Sequence, residues 1–421
     1  MFVWNHFTND ARVLRECTAL SENGYNVDLI CIHDPNDKDL PMYEERNNHF
    51  SVYRVKRYPP LLQLMQKVYR KSLQNKLIGL FVFIAWLFLM YLSPIVIGSI
   101  TLLSLVLLKT KLKTVWVRGS IIVRMIVRGR QKEYDIYHSN DLNTLPQGYI
   151  CSKLRFKRKK LIYDSHEVQT SRTGYDSKYY SNSELFFINR IDSMIVENHT
   201  RAEYNKDLYG FYPNVVYNYP FKQENKQQDK APLKELLNIP SNEKILLYQG
   251  GIQAGRGLDK LIQAVSSFKE GILVLIGDGR IKPDLERMVD EMNLHDKVKF
   301  LPKVRVEDLP SYTGNGYLGF QVLNNTNYNH YSASSNKLFE YIMSGVPVVA
   351  CSFPEIKKVV EGEEVGVCVD SHDPESIANG VNYLLENPNI RDQMSANCYT
   401  AKDKYNWDEE KNVFLEIYES V

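Results

Sequence analysis

The sequence predicts an α/β protein built from two doubly wound, Rossmann-like domains, each a parallel sheet covered by helices. An apolar helical hairpin is inserted in the first. Three observations lead to this reading. Short, largely apolar runs such as Val27–Ile32 and Ile272–Ile276 alternate with segments of helical periodicity, as strands buried on both faces and joined by crossover helices do. A polar stretch, Gln223–Lys230, separates two such series in a chain of 421 residues, long enough for two domains of ordinary size. Finally, residues Leu77–Leu108 are uncharged and almost wholly apolar.

Taken in order, Val13, Leu14, Cys17 and Leu20 fall at helical spacing after Asn9 and Asp10, either of which suits an N-cap, and Gly24 ends that helix. Strand Val27–Ile32 follows; only Phe2–Trp4 precedes the helix, so the expected first strand is either stubby or cut short in the sequence. Beyond the apolar run come strands 134–139 and 160–164 around a helix at 143–154, then strands 192–196 and 215–217 around a helix at 198–208. After the linker the series continues with strand 244–249, helix 257–268, strand 272–276, helix 282–292, strands 298–301 and 317–322, helix 335–344 and strand 346–350. Expected domains are 1–222 and 223–400, with a C-terminal helix in 401–421 packing back on the first.

Composition narrows the function. With 44% hydrophobic and 24% charged residues the chain is neither disordered nor of low complexity. A net charge of +2, from 52 Lys and Arg against 50 Asp and Glu, gives no global support for nucleic-acid binding. The charge is unevenly spread, for no Asp or Glu occurs between Arg46 and Lys132. The six cysteines lie far apart without a C-x-x-C pair, which suits free thiols in the cytoplasm.

The chemistry gathers in the second domain. Tyr248 to Gly257 follows a strand and opens a helix; Gly250 and Gly251 allow close approach of a ligand, and Arg256 offers a fork for phosphate oxygens. Gly277-Asp278-Gly279 is a tight turn after another strand, without the third glycine of a dinucleotide fingerprint. Ser334, Ser335 and Asn336 precede a helix whose first amides and dipole suit a diphosphate, with Lys337 adding charge. Glu340, one turn on, suits a ribose or sugar hydroxyl, or an ion pair with Lys337. Asp37-Lys38-Asp39 reads as a solvated turn, and no metal is expected.

The run 332–350, with Arg256-Gly257-Leu258 upstream, resembles the donor-binding signature of the family 4 retaining glycosyltransferases, and the insertion suits the bacterial surface-polysaccharide type. Asn9 to Val13, Asp164-Ser165-His166-Glu167, Asn218, Gly277 to Gly279 and Pro302 to Tyr312 follow in the order that family has. The resemblance implies the GT-B fold, its two domains facing a central cleft, and transfer of a sugar from a nucleotide-diphosphate sugar with retention and without a cofactor or metal. It implies that Arg256 and Lys337 bind the pyrophosphate, Glu340 the ribose, and that His166 faces the transferred sugar. Gly250, Gly251, Gly277, Gly279, Ser334, Ser335 and Asn336 would line the donor, and Asn9, Asp10, Arg12 and Glu167 the acceptor side. Two positions depart from the pattern. Ser332 stands where the family commonly has its first glutamate, so Ser334, Ser335 or a nearby amide would substitute, and Gly251 stands where it commonly has an arginine.

The apolar run bears on the acceptor. Its flanks belong to one domain, so both lie on one side of a bilayer, and its two arms, each about 21–24 Å as helices, fall short of the roughly 30 Å hydrocarbon core. A break at Ser93-Pro94 predicts a helical hairpin in one leaflet. Lys67, Arg70, Lys71 and Lys76 before it and Lys109, Lys111, Lys113, Arg118, Arg124, Arg128 and Arg130 after it suit an anionic cytoplasmic membrane face. Expected partners are therefore a nucleotide sugar, a lipid-linked or glycan acceptor and that membrane surface, with no nucleic acid. The alternative is a non-catalytic donor-binding or scaffolding subunit of a membrane glycosyltransferase complex.

Overall fold

A computed structural model describes residues 1–8, 10–172, 177–222 and 230–421. Asn9 and nearly all of the linker at 223–230 lie outside the described residues. The chain forms two compact units: Met1–Asp164 with Phe186–Met194, and Ser165–Leu185 with Ile195–Val421.

In the first unit, Asp10 caps the helix Ala11–Glu22, its Oδ1 accepting from the Val13 amide at 3.1 Å, and Gly24 leaves the helix at φ +84°. Strand β1, Val27–Ile32, pairs in parallel with β3, Phe50–Val55, which pairs antiparallel with β2, Tyr43–Asn47. Strands β4, Ile136–Asn140, and β5, Lys160–Ser165, are parallel. The expected first strand is reduced to Phe2, which bridges in parallel to Ile30 and to Ser139 and so lies between β1 and β4.

The apolar segment is helical and breaks where Ser93-Pro94 predicts. Arms Lys76–Leu92 and Pro94–Lys109 fold on each other, the Trp86 indole N–H donating to Thr101 Oγ1 at 3.0 Å. Neither arm has a buried residue, and Phe81, Tyr91 and Ile95 are 73%, 86% and 82% exposed. At 1.5 Å per residue the arms are about 26 and 24 Å long. Among the described residues no single helix is long and apolar enough to cross a membrane; the pair Pro94–Lys109 and Leu112–Gly129, bent by 83°, passes that test jointly. Helix Leu112–Gly129 ties the insertion down through buried Ile121 and Met125. Three flanking arginines contribute to this attachment. Arg124 donates to the carbonyls of Lys56 and Tyr58, Arg128 stacks 3.4 Å from the Tyr53 ring centre, and Arg130 donates to the carbonyls of Ile150 and Leu154.

The second unit holds the parallel pair β6, Ser193–Val196, and β7, Asn214–Val215. Its main sheet has six parallel strands: β8 Ile245–Gln249, β9 Ile272–Ile276, β10 Val298–Leu301, β11 Leu318–Gln321, β12 Val348–Cys351 and β13 Gly366–Val369. Their order is β10-β9-β8-β11-β12-β13. Every residue of β8 and β9 is buried, with Leu246, Leu273 and Phe320 in one core and Leu247, Val274 and Tyr341 in the other. That two-sided burial explains the unbroken apolar runs. The order reverses between β8 and β11, and the carboxyl ends of strands at such a point form the crevice where doubly wound sheets bind ligands. The C-terminal helix Trp407–Ser420 also belongs to this unit; Glu410 accepts from the Tyr217 amide at 2.7 Å, and the Trp407 amide donates to Pro220 at 2.8 Å.

Candidate active site

At the carboxyl end of β8 the chain turns through Gly250 at φ +123°. A Cβ there would stand 3.3 Å from Lys337 Cδ, so the bare glycine makes room for the Lys337 stem. Lys337 sits in the first turn of the helix Asn336–Met343 and is buried, its ammonium 5.0 Å from the Tyr248 ring centre. Burial, reinforced by the charge of Arg256 and opposed by Glu340, pushes its pKa down to about 7. Neither Lys337 nor Arg256 forms an ion pair with a described carboxylate. The first turn of this helix thus carries a buried cation that feels a second one, Arg256, with Glu340 opposing, an arrangement that favours an anion.

Glu340 is oriented by β8. Gln249 Nε2 donates to Glu340 Oε2 at 2.7 Å, and Gln249 Oε1 accepts from Thr313 Oγ1 at 2.8 Å. The Tyr341 hydroxyl accepts from the Gln249 amide and donates to the Leu247 carbonyl, pinning helix to strand. Gln249, Thr313 and Tyr341 were not anticipated as site residues; the available signal was a glutamine closing an otherwise apolar strand. Ser335 is the N-cap of the Lys337 helix without a side-chain capping bond, Ser334 is buried beside it, and Asn336 is the first helical residue.

The other glycines have a different role. A Cβ on Gly277 would lie 2.0 Å from the Gly250 carbonyl oxygen, and one on Gly279 would lie 1.9 Å from that of Ile252. The loops after β8 and β9 lie against each other, with the Ile252 amide donating to the Asp278 carbonyl at 3.0 Å. What Gly277 and Gly279 admit is therefore neighbouring backbone. Gly251 is open, its nearest neighbour Gln253 Cγ at 3.6 Å. Asp278 is held below its usual pKa by the Lys303 amide and by Lys282.

His166 and Glu167 belong to the same unit. Arg201 donates to the His166 carbonyl at 2.6 Å and to Ser332 Oγ at 3.2 Å, and it pairs with Glu197. Asn329 exchanges two hydrogen bonds with the Val168 backbone at 2.7 and 3.1 Å. The segment carrying His166 is thereby tied to the loop that leads into the Lys337 helix. Ser332 is fully buried, its hydroxyl donating to the Tyr328 carbonyl at 2.8 Å. Glu167 pairs with Arg172 at 3.2 Å.

The acceptor-side candidates of the first unit have structural work. Asp10 is a helix cap that also accepts from Asn5 at 2.7 Å. Arg12 is buried, its guanidinium 2.9 Å from Glu16 and 2.9 Å from Asp164. Glu16, His138 and Asp164 are the one group among the described residues with metal-ligand spacing, and Arg12 already supplies a cation bonded to both carboxylates. Asp37 accepts from the Asp39 amide at 3.0 Å in an exposed turn. All six cysteines are free thiols.

Residues 229–401 match the family model described as glycosyl transferases group 1. A D-inositol 3-phosphate glycosyltransferase of Xylanimonas cellulosilytica is 26% identical over 194 residues, 45% of this chain and 45% of that protein. The chain thus aligns with less than half the length of this curated relative. Among solved structures, sucrose-phosphate synthase from Thermosynechococcus elongatus superimposes with a TM-score of 0.71 at 17% identity, over 97% of this chain and 92% of that one. The Anabaena protein HepE, in complex with UDP, gives a TM-score of 0.70 at 16% identity, over 100% and 99%. Both extend the fold likeness across nearly the whole chain. Residues 229–401 are thus matched to glycosyl transferases group 1, and the fold is GT-B, with two Rossmann-like domains.

Proposed function

We propose that this protein is a glycosyltransferase that moves a sugar from a nucleotide-diphosphate sugar to a lipid-linked acceptor at the cytoplasmic membrane face, in polysaccharide or glycoconjugate assembly. The observation that carries the reading is Lys337 in the first turn of a helix beside the strand-order reversal, with the charge of Arg256 acting on it and neither cation in an ion pair with a carboxylate among the described residues. The match to glycosyl transferases group 1 over this segment and the UDP bound to the HepE neighbour support it.

In this reading the diphosphate lies against the first amides of the Lys337 helix, between Lys337 and Arg256, and Glu340, held by Gln249, accepts from a ribose hydroxyl. Breaking the bond from sugar to diphosphate leaves negative charge on the departing phosphate. Fixed cations and helix amides stabilise that charge more in the transition state than before it. His166 faces the transferred sugar, retention follows the family resemblance, and these side chains supply the electrostatics without a metal. The exposed apolar arms suit docking in one leaflet, which brings the enzyme to acceptors that do not leave the membrane.

The test is calorimetric titration of the detergent-purified protein with UDP, GDP and ADP. One nucleotide series is expected to bind, and Arg256→Ala to weaken it about 10–100-fold, the effect of losing a charged hydrogen bond. Glu340→Gln is expected to lose transfer while remaining folded. No binding by any nucleotide refutes the donor site. Nucleotide binding without transfer to any lipid acceptor favours the scaffolding subunit.

A further inference from the structure

The first unit contains a second cationic site, at the root of the apolar hairpin. A cavity of about 430 Å³ is lined by Trp4, His6, Arg57, Tyr58, Lys113 and Arg118 among others, and no lining residue is acidic. Its volume is in the range that holds a small ligand. It lies at the carboxyl end of β1, whose last residue, Ile32, forms part of the wall, and beside residues 4–6, which follow the Phe2 bridge. Carboxyl ends of parallel strands are where α/β sheets take their ligands. His6 faces the Ile32 carbonyl, its Nδ1 2.9 Å away, so Nδ1–H donates there and the ring is fixed at the wall.

The opposite wall is helix Leu112–Gly129, which presents Lys113, Val117 and Ile121 at successive turns, with Thr114 and Arg118 alongside. This helix begins three residues after the apolar arm Pro94–Lys109 ends. Lys113 therefore stands about one helical turn, and Arg118 about two and a half, from a segment whose side chains are all out of the protein core. An anion drawn into this cavity meets lipid-seeking surface next to it. Soluble sugars and free nucleotides have no use for such a neighbour.

We propose that this cavity binds the phosphate or diphosphate of a lipid-linked acceptor, with Arg57, Lys113 and Arg118 on the phosphate oxygens and the lipid chain running along the apolar arms. The assignment rests on the proposed glycosyl transfer for its use, though the binding itself is independent of it. It adds a place and a charge to the acceptor: the acceptor is anionic, and its head group is recognised in the first unit.

The experiment uses the full-length protein in detergent micelles and three probes, farnesyl diphosphate, farnesol and inorganic pyrophosphate, with dissociation constants read by calorimetry. Farnesyl diphosphate is expected to bind at least tenfold more tightly than pyrophosphate, and farnesol not at all. Arg118→Gln and Arg57→Gln, on different elements, are each expected to weaken farnesyl diphosphate at least tenfold, with folding checked by circular dichroism. Equal binding of pyrophosphate overturns the lipid source, and equal binding by wild type and both folded variants overturns the site. If neither variant folds, wild type decides: saturating UDP should leave farnesyl diphosphate binding unchanged, and displacement by UDP places the probe in the donor site and overturns the proposal. Binding of farnesyl diphosphate by a protein that binds no nucleotide leaves this cavity standing and sinks the donor reading instead.

Discussion

Lys337 makes the proposed donor site sensitive to pH in a way that can be worked from its surroundings. The ammonium is buried near Arg256, with Glu340 as the opposing charge, and its pKa is pushed down to about 7. A bound diphosphate restores the charge by placing two or more negative oxygens beside it, so its pKa in the complex rises and binding takes up a proton. With a bound value well above 9, affinity falls with pH across the interval, and UDP binds roughly 50-fold more weakly at pH 9 than at pH 7. The terminal phosphate of UDP ionises near pH 6, as phosphomonoesters do, so it contributes little in this window. Calorimetry at pH 7, 8 and 9, repeated in buffers of different ionisation enthalpy, reads both the affinity and the proton. Lys337→Met should bind more weakly at pH 7 and lose the pH dependence. Stability of the empty protein follows the same linkage with a defined sign. The unfolded chain holds the lysine proton up to about pH 10 and the native chain releases it near 7, so this lysine costs stability at neutral pH, and the cost diminishes as pH rises between those values. A UDP affinity that is flat from pH 7 to 9, or equally steep in Lys337→Met, refutes the assignment of Lys337 to the diphosphate.

Asp164→Asn removes one partner of the buried Arg12, leaving its guanidinium with Glu16; a loss of about 3–5 kcal/mol is expected, read as a lower urea midpoint. A loss below about 1 kcal/mol would mean that Arg12 is not held by this pair. Membrane fractions should retain the wild-type protein through washing with 1 M salt and release it only to detergent, because the arms expose large apolar side chains that salt does not displace. Release by salt alone would mean that the basic flanks hold the protein and that the arms are not embedded.

Much of the fold was legible because two-sided burial writes itself as uninterrupted apolar runs. Residues 245–248 and 272–276 are such runs, and they form β8 and β9. The hairpin of β2 and β3 was not legible, since Tyr43–Asn47 is a polar, largely exposed edge without alternation. Strand β13, four residues opening on a glycine, is too short to show a period. In the site, Gly250, Lys337 and Glu340 were readable from residue type and order, and the reversal of strand order brings them together. Residue type alone does not show what a glycine admits; at Gly277 and Gly279 a Cβ would meet the carbonyl oxygens of Gly250 and Ile252. Basic residues were equally ambiguous. Arg124, Arg128 and Arg130 read as a plain basic flank in sequence, and their carbonyl and ring contacts appear only in the fold.

Ser332 shows how a departure from a family pattern is absorbed. Its side chain is buried and its hydroxyl bonds both the Tyr328 carbonyl and Arg201, whose charge Glu197 already answers. A glutamate at this position would need more volume and would bring a second carboxylate to one guanidinium, so the environment is built for the small residue. The consequence falls on the donor site. In the proposed arrangement Arg256 and a protonated Lys337 face a diphosphate with Glu340 as the carboxylate acting on Lys337; a second carboxylate nearby would cancel one of the two cations. On the proposed reading, recognition of the sugar then falls to hydroxyls and backbone amides around Ser334 and Ser335 instead of a charged acceptor. Neutral hydrogen bonds discriminate less sharply than charged ones, so this protein should owe its rate to the diphosphate end of the donor more than to the sugar end.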